Sequence, residues 1–272
     1  MKHPLDGPEF LDPEVLHAHP QFASTLASGL AVLGCFSGGA PALGNKDIAD
    51  RLGLTKPTVS RLTFTLVGLG YLRKDRSTGK YSLGPAVLSL GYPLLWQLAM
   101  RRIAAPEMLE LARQARGPVS VGARDRLQVV YVDTVQGHQT SPAKPDIGSS
   151  RPLLRTAIGR ALLYALESDE RAMVIQRLQA KMPDEWASFG PKVADAQAAI
   201  ESQGFCVSVG DWQPNLAAVA VPMRASLNGM ALAFNLTVPA QATGRQRLQR
   251  SLGPKLVALV REIEYKLGVF EP

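Results

Sequence analysis

A chain of 272 residues with 46% hydrophobic and 19% charged side chains carries enough apolar material for one large domain or two ordinary ones, which excludes a disordered or fibrous protein. Apolar runs break well short of membrane-spanning length, and the first twenty residues carry four acids and no apolar core, so no transmembrane helix, membrane partner or secretory signal is expected. The net charge of +7 is unevenly placed: residues 1–45 carry −3, residues 46–80 carry +5, and the long remainder another +5.

Residues 1–21, rich in Pro, His and acids, read as a mobile arm. From Ser24 to Phe36, Leu26, Leu30 and Leu33 recur at helical spacing and define an amphipathic first helix. SGGAPALG (37–44) breaks it and has room for a short extended piece.

The stretch NKDIADRLGLTKPTVSRLTFTLVGL (45–69) reads as two short helices joined by a tight turn. Ala49 is small where the helices cross, Gly53 suits the left-handed backbone that ends the first, and Thr55 followed by Pro57 starts the second. Val59, Leu62, Leu66 and Leu69 mark its inward face, and the opposite side presents Pro57, Ser60, Arg61 and Phe64, with Thr58 and Thr65 at the edge. These spacings describe a DNA-binding helix-turn-helix, the competing reading being an ordinary helical hairpin.

GYLRKDRSTGKYSLG (70–84) then alternates apolar and basic pieces around a Ser-Thr-Gly turn, the pattern of a β-hairpin wing. The DNA-contact candidates are Lys56, Pro57, Thr58, Ser60, Arg61 and Phe64 on the helix and Arg73, Lys74, Arg76 and Lys80 on the wing. Arg61 suits bidentate contact with guanine, Ser60 and Thr58 suit phosphates or bases, and the wing cations suit backbone phosphates. For Phe64, packing against the wing is favoured over contact with a thymine methyl.

PAVLSLGYPLLWQLAMRR (85–102) is too apolar for an exposed linker. It reads as a helix kinked at Pro93 that needs a partner, and a dimer contact would place two recognition helices roughly 34 Å apart on a two-fold site. Residues 103–272 read as an α/β domain. A helix at 104–115 precedes strands at 118–124 and 127–135 and a loop with room for a strand at 137–152. Helices follow at 155–167, 169–180 and 189–203, then strands at 204–209, 216–223 and 230–238 and a last helix at 244–267. Late strands crossed by helices suggest an antiparallel sheet with helices packed on it.

Enzyme chemistry is poorly supplied: there is no nucleophile elbow, P-loop or dinucleotide fingerprint, and three of the four histidines lie in the arm. Cys35 and Cys206 are far apart without metal-ligand spacing and read as buried free thiols of a cytoplasmic protein, so neither metal nor cofactor is expected. A purely architectural DNA-binding protein would not need so large a C-terminal domain.

LASGLAVLGCFS, IADRLGLTKPTVSRLTFTLVGLGYL and KYSLGPAVLSLG, followed by VVYVDTV and GSSRPLLRTAIGRALLYAL, resemble the isocitrate lyase regulator (IclR) family of bacterial transcription factors over residues 22–268. The resemblance implies an α+β architecture: a winged helix-turn-helix domain (22–84), a linker helix (85–102) and a GAF-like effector-binding domain with an antiparallel sheet (103–272). It implies a homodimer or homotetramer on a palindromic double-stranded operator of a catabolic or metabolic operon, with RNA polymerase as a further contact and a small organic acid, an aromatic one included, as effector.

Carried over by motif, the effector positions are Ala157, Ile158, Ser208, Ala218, Asn235 and Thr237. This chain departs from the family in lacking the common acid at Ser208, the cysteine at Ala218 and the serines at Asn235 and Thr237. Where many members have His, it has Arg155, which either meets the ligand carboxylate or forms an ion pair with Asp211 or Asp133. Trp212 and Phe205 lie near these segments and are candidates for an aromatic lining.

Overall fold

Val32, Ile48, Val59, Leu62, Leu66 and Leu72 make the core of the first of two units into which the chain divides, Met1–Gln97 and Leu98–Pro272. The computed structural model describes residues 13–37, 42–98, 100–137, 145–241 and 243–269. Part of the expected arm, residues 1–12, lies outside them; its continuation is a short helix, α1 (Pro13–Ala18).

α2 (Ser24–Gly34) buries Val32 and packs Leu33, but leaves Leu26 and Leu30 exposed. The inward side of this helix is therefore not the Leu26–Leu30 stripe that spacing suggested, because α3 (Asn45–Leu52) and α4 (Lys56–Gly68) meet its other side. The Asp47 carboxylate accepts from the Gly44 N–H at 2.8 Å and closes the first turn of α3. Gly53 ends α3 at φ +64°, a conformation costly for any residue with a Cβ. Arg51 Nη1 donates to the Cys35 carbonyl at 2.7 Å and ties the end of α3 to that of α2.

β1 (Leu72–Lys74) and β2 (Tyr81–Leu83) form the antiparallel wing, and Leu43 bridges to Tyr81, so the extended piece before α3 joins its edge. α5 (Ala86–Gln97) runs through Pro93 and has no buried residue. Leu88, Leu90, Tyr92, Leu94 and Trp96 are all exposed on it.

In the second unit, α6 (Met100–Ala115) precedes β3 (Val119–Asp125), β4 (Gln128–Val135) and β5 (Ser150–Pro152). α7 (Ala157–Ala165), α8 (Ser168–Lys181) and α9 (Pro183–Gln203) follow, then β6 (Cys206–Val209), β7 (Leu216–Pro222) and β8 (Leu232–Pro239). The expected start of α9 was six residues late. Pro183 begins it at a position where a missing N–H costs little, and the helix continues through Pro191.

The six strands are antiparallel in the order β5-β4-β3-β8-β7-β6. Side chains alternate between the two faces of the sheet. Ala218, Ala220 and Ala233 pack toward α7, α8 and α9, while Val219, Val221, Phe234 and Leu236 are buried on the side where α6 and the C-terminal helix pack. That last helix is α10 (Arg245–Arg247), a π-turn (Leu248–Leu252) and α11 (Gly253–Lys266). Pro254 has no N–H for the Arg250 carbonyl, and the helix widens there.

Candidate functional site

The first candidate surface is built on α4. Thr55 caps it, its Oγ1 accepting from the Thr58 N–H at 3.4 Å, and Pro57 lies in its first turn. Val59, Leu62 and Leu66 are buried as the spacing requires, together with Thr63, whose hydroxyl donates to the Val59 carbonyl at 2.9 Å. Lys56, Pro57, Thr58, Ser60, Arg61 and Phe64 are exposed.

Two expectations for this helix fail. Leu69 lies just past the last turn and is 62% exposed instead of facing inward. Phe64 does not pack against the wing; it is 82% exposed, because Leu66 and Val67 already meet the core and leave its side facing solvent.

On the wing, Arg73, Lys74, Arg76 and Lys80 are exposed. The one acid among them, Asp75, is tied into the turn: its Oδ1 accepts from the Ser77 N–H (2.7 Å), the Ser77 hydroxyl (2.6 Å) and the Thr78 N–H (3.1 Å). The Ser77 hydroxyl and these amides hold the Asp75 carboxyl below its usual pKa. The hairpin therefore turns tightly with its cations outward.

The second candidate site lies between the sheet and the N-terminus of α7. Thr156 caps that helix, accepting from the Gly159 N–H at 3.1 Å and donating to the Pro152 carbonyl at 2.8 Å. Gly159 rests on the Leu153 backbone; a Cβ there would lie 2.0 Å from the Leu153 carbonyl oxygen. A cavity of about 250 Å³ lies in front of the helix end. Ala157, Ile158, Ser208, Ala218, Asn235 and Thr237 all line it, so the structure brings together the six positions carried over by motif.

Arg155 is the exception. Its Nε donates to the Asp211 carbonyl at 3.2 Å, its Nη1 lies 3.8 Å from Glu185, and its guanidinium sits 5.3 Å from the Phe189 ring and 5.7 Å from the Trp212 ring. With these partners Arg155 holds the 211–213 turn instead of lining the cavity. Nor does it pair with the carboxylates of Asp211 or Asp133. Asp211 takes Arg160 at 2.8 Å, Lys192 and the Ser208 hydroxyl at 3.0 Å, and Asp133 takes Arg101 at 3.4 Å.

Among the described residues, the cationic side chain that lines the cavity is Arg151 on β5, its guanidinium 5.5 Å from the Tyr131 ring. Sequence reasoning missed it, together with Tyr131, Thr156 and Gln213. The available signal was the strand VVYVDTV, whose alternation puts Tyr131 on one face with Val129, and the short β5 beside it. Trp212 lines the cavity as expected; Phe205 does not, being packed instead against Gly253, where a Cβ would lie 2.3 Å from its ring. Burial pushes the Tyr131 hydroxyl pKa up, with Arg151 and the Asn235 amide opposing it.

Residues 25–76 match the model of the IclR helix-turn-helix domain, and residues 94–265 match that of the bacterial transcriptional regulator IclR C-terminal domain. The chain belongs to the IclR family of transcriptional regulators. A curated family relative, the HTH-type transcriptional regulator TsaQ1/TsaQ2 of Comamonas testosteroni, is 33% identical over 250 residues, covering 91% of this chain and 90% of its own. An IclR family regulator from Brucella abortus has a solved structure with 40% identity and a TM-score of 0.81, covering 91% of this chain and 94% of that one. An IclR homologue from Microbacterium hydrocarbonoxydans, solved with 4-hydroxybenzoate, shares the fold at 21% identity and a TM-score of 0.71, covering 90% of this chain and all of that one. IclR family members are transcriptional regulators and not enzymes, with a DNA-binding domain followed by an effector domain, and this chain has both.

Proposed function

We propose that this IclR family member controls a catabolic operon and that a small carboxylate entering the cavity alters its hold on DNA. The observation that carries the reading is the convergence of six effector positions on one cavity at the N-terminus of α7. There the amides of Ala157 and Ile158, in the first turn, lack partners from a preceding helical turn, and the helix end favours negative charge. Arg151, in place of Arg155, supplies the guanidinium for the ligand carboxylate. The homologue solved with 4-hydroxybenzoate makes a ring-bearing acid a natural first probe.

On DNA, Arg61 is assigned to base reading, with Lys56, Pro57, Thr58, Ser60 and Phe64 around it, and Arg73, Lys74, Arg76 and Lys80 to phosphates. The exposed Leu88, Leu90, Tyr92, Leu94 and Trp96 of α5, with Leu26 and Leu30 of α2, suit contact with a second copy in a dimer or tetramer. Such a pair would read a two-fold operator, and α5, joined through Leu98 to the effector unit, would carry the response. The cytoplasm is the setting this reading requires, since a regulator of transcription must reach DNA. No described helix is long and apolar enough to cross a membrane.

The test is selection of genomic DNA by the purified protein, followed by titration of the recovered operator complex with small carboxylates. Benzoates are expected to shift DNA affinity and raise the melting temperature, and Arg151→Gln is expected to weaken both effects. If no carboxylate changes either quantity, the reading fails.

A further inference from the structure

We propose that the second unit carries a DNA contact of its own, an arginine surface at the start of the last helix and the end of α6 that grips backbone phosphates. α10, the π-turn and α11 form one continuous helix whose first residues read RQRLQR (245–250). Leu248 and Leu252 face the core, while Arg245, Gln246, Arg247, Gln249 and Arg250 are exposed. Lys255 Nζ donates to Gln114 Oε1 at 2.9 Å, which sets this part of the helix beside the end of α6. Arg113 and Arg116 are exposed there.

Six cations from two distant segments thus share one end of the α6–α11 pair. At the other end cations are matched by acids: Lys266 pairs with Glu107 and with Glu262 at 2.8 Å, and Arg261 with Glu264 at 2.6 Å. Among the described residues no carboxylate pairs with any of the six. The chain has no acid from Trp212 to Arg261 or from Leu111 to Arg124, and Glu110 accepts from Gln114 Nε2 at 2.8 Å.

Helix stability does not account for this charge. The N-terminal end of a helix disfavours cations, yet Arg245, Arg247 and Arg250 stand there and repel one another within six positions. Gly244 offers no side-chain cap to offset them. Arg113 and Arg116 do stand at the favourable end of α6, but Arg116 holds φ +58°, a left-handed conformation that Gly or Asn adopts with less strain. A charge set that folding opposes suits a polyanion, whose phosphates it would neutralise.

Duplex DNA fits this surface better than an acidic protein does. Guanidinium forks match phosphate oxygens, and Gln114, Gln246 and Gln249 add neutral donors between them. A protein partner is anchored by large apolar side chains. None that is exposed among the described residues lies here; Tyr265, the exposed one on α11, is near the opposite end of the helix. The contact is therefore with the backbone and carries no base preference.

The experiment titrates the full chain with a random-sequence duplex of about sixty base pairs at several salt concentrations. Replacing Arg245, Arg247 and Arg250 together by Gln should weaken binding about tenfold or more at low salt and remove about two to three units of salt slope. The melting temperature should stay equal or rise, because the helix end is relieved of repulsion. Unchanged affinity and slope overturn the proposal, and a lowered melting temperature overturns it by showing that the arginines serve the fold. A benzophenone maleimide on Gln249→Cys reads the contact directly, since Cys35 and Cys206 are buried. Irradiation should join that label to DNA, whereas the same label on Ser202→Cys of α9 should not react with it. No DNA adduct from position 249, an adduct with a second copy in its place, or equal adducts from both positions overturns the proposal. Should the triple variant not fold, the labelled chain with its arginines intact decides.

Discussion

Arg160 Nη2 donates to Asp211 Oδ2 at 2.8 Å, and both side chains are more than nine-tenths excluded from solvent. Arg160 also donates through Nε to the Leu154 carbonyl at 2.9 Å, so this one guanidinium joins α7, the chain entering it and the turn after β6. Burial pushes the Asp211 carboxyl up, but Lys192, Arg160 and Ser208 outweigh it and hold the pKa below the ordinary value. A group depressed in the folded state stabilises above its unfolded pKa of about 3.9, and that contribution disappears as pH falls through the folded value. Asp211→Asn should therefore cost about 3–5 kcal/mol near neutrality by leaving Arg160 buried and unpaired. Denaturant melts between neutral pH and pH 2 should show a shallower acid loss in the variant than in the parent.

Gly159→Ala brings a methyl group to 2.0 Å from the Leu153 carbonyl, a clash with backbone that no side-chain rotation relieves. The substitution should destabilise by about 1–3 kcal/mol or more and shift the start of α7, weakening carboxylate binding beyond the loss of stability. Melting temperature and ligand titration on the same sample separate the two effects.

Arg61 and the wing cations should fail in different ways. Arg61→Ala is expected to cost about 1–3 kcal/mol on the operator and to relax base preference at one position per half-site. Arg73→Ala or Lys80→Ala should weaken all sequences alike and lower the salt slope by about one unit per charge removed. Competition binding at several salt concentrations distinguishes these patterns.

Phe64→Ala should leave stability within about 0.5 kcal/mol, since the ring is 82% exposed. Operator affinity is nevertheless expected to fall, with the change confined to sites bearing a thymine at the contacted step. A large loss of thermal stability would show that the ring packs in the folded protein.

Cys206 is fully buried in the sheet, its Sγ donating to the Ala157 carbonyl at 3.4 Å, and burial pushes its thiol up to about 12. Cys35 is raised in the same direction by burial, against the pull of Arg51. Alkylation by iodoacetamide at pH 8 should be negligible at Cys206 until the protein is unfolded. Mass spectrometry of native and denatured samples reads this directly.

Most of the reading head could be taken from the chain alone because helix-turn-helix chemistry is local. Ala49, Gly53, Thr55 and Val59 lie within eleven positions, and each answers to its neighbours through capping, a left-handed turn or helical spacing. The same locality placed the wing, where a tight turn and alternating residues suffice. It misled at Leu26, Leu30, Leu69 and Phe64, whose spacing or character suggested burial. Which side of a helix is covered depends on what packs there, and those partners come from elsewhere in the chain.

The cavity at the N-terminus of α7 shows the opposite balance. Family resemblance located its six motif positions, but nothing local separates Arg151 from Arg155, four residues apart on either side of the loop into α7. Tertiary structure decides between them: Phe189, Trp212, Glu185 and the Asp211 carbonyl draw Arg155 to the outer turn, while pairing of β5 with β4 brings Arg151 to Tyr131. The surroundings of Asn235 were equally invisible, since Thr237, Ala220, Ser120 and Tyr131 bring them together from four strands. The sequence by itself determined the domain order, the helix-turn-helix and the regulator family, because those follow from short-range pattern. Only the tertiary structure decided which polar atoms face the cavity, because burial and pairing are set by residues distant in the chain.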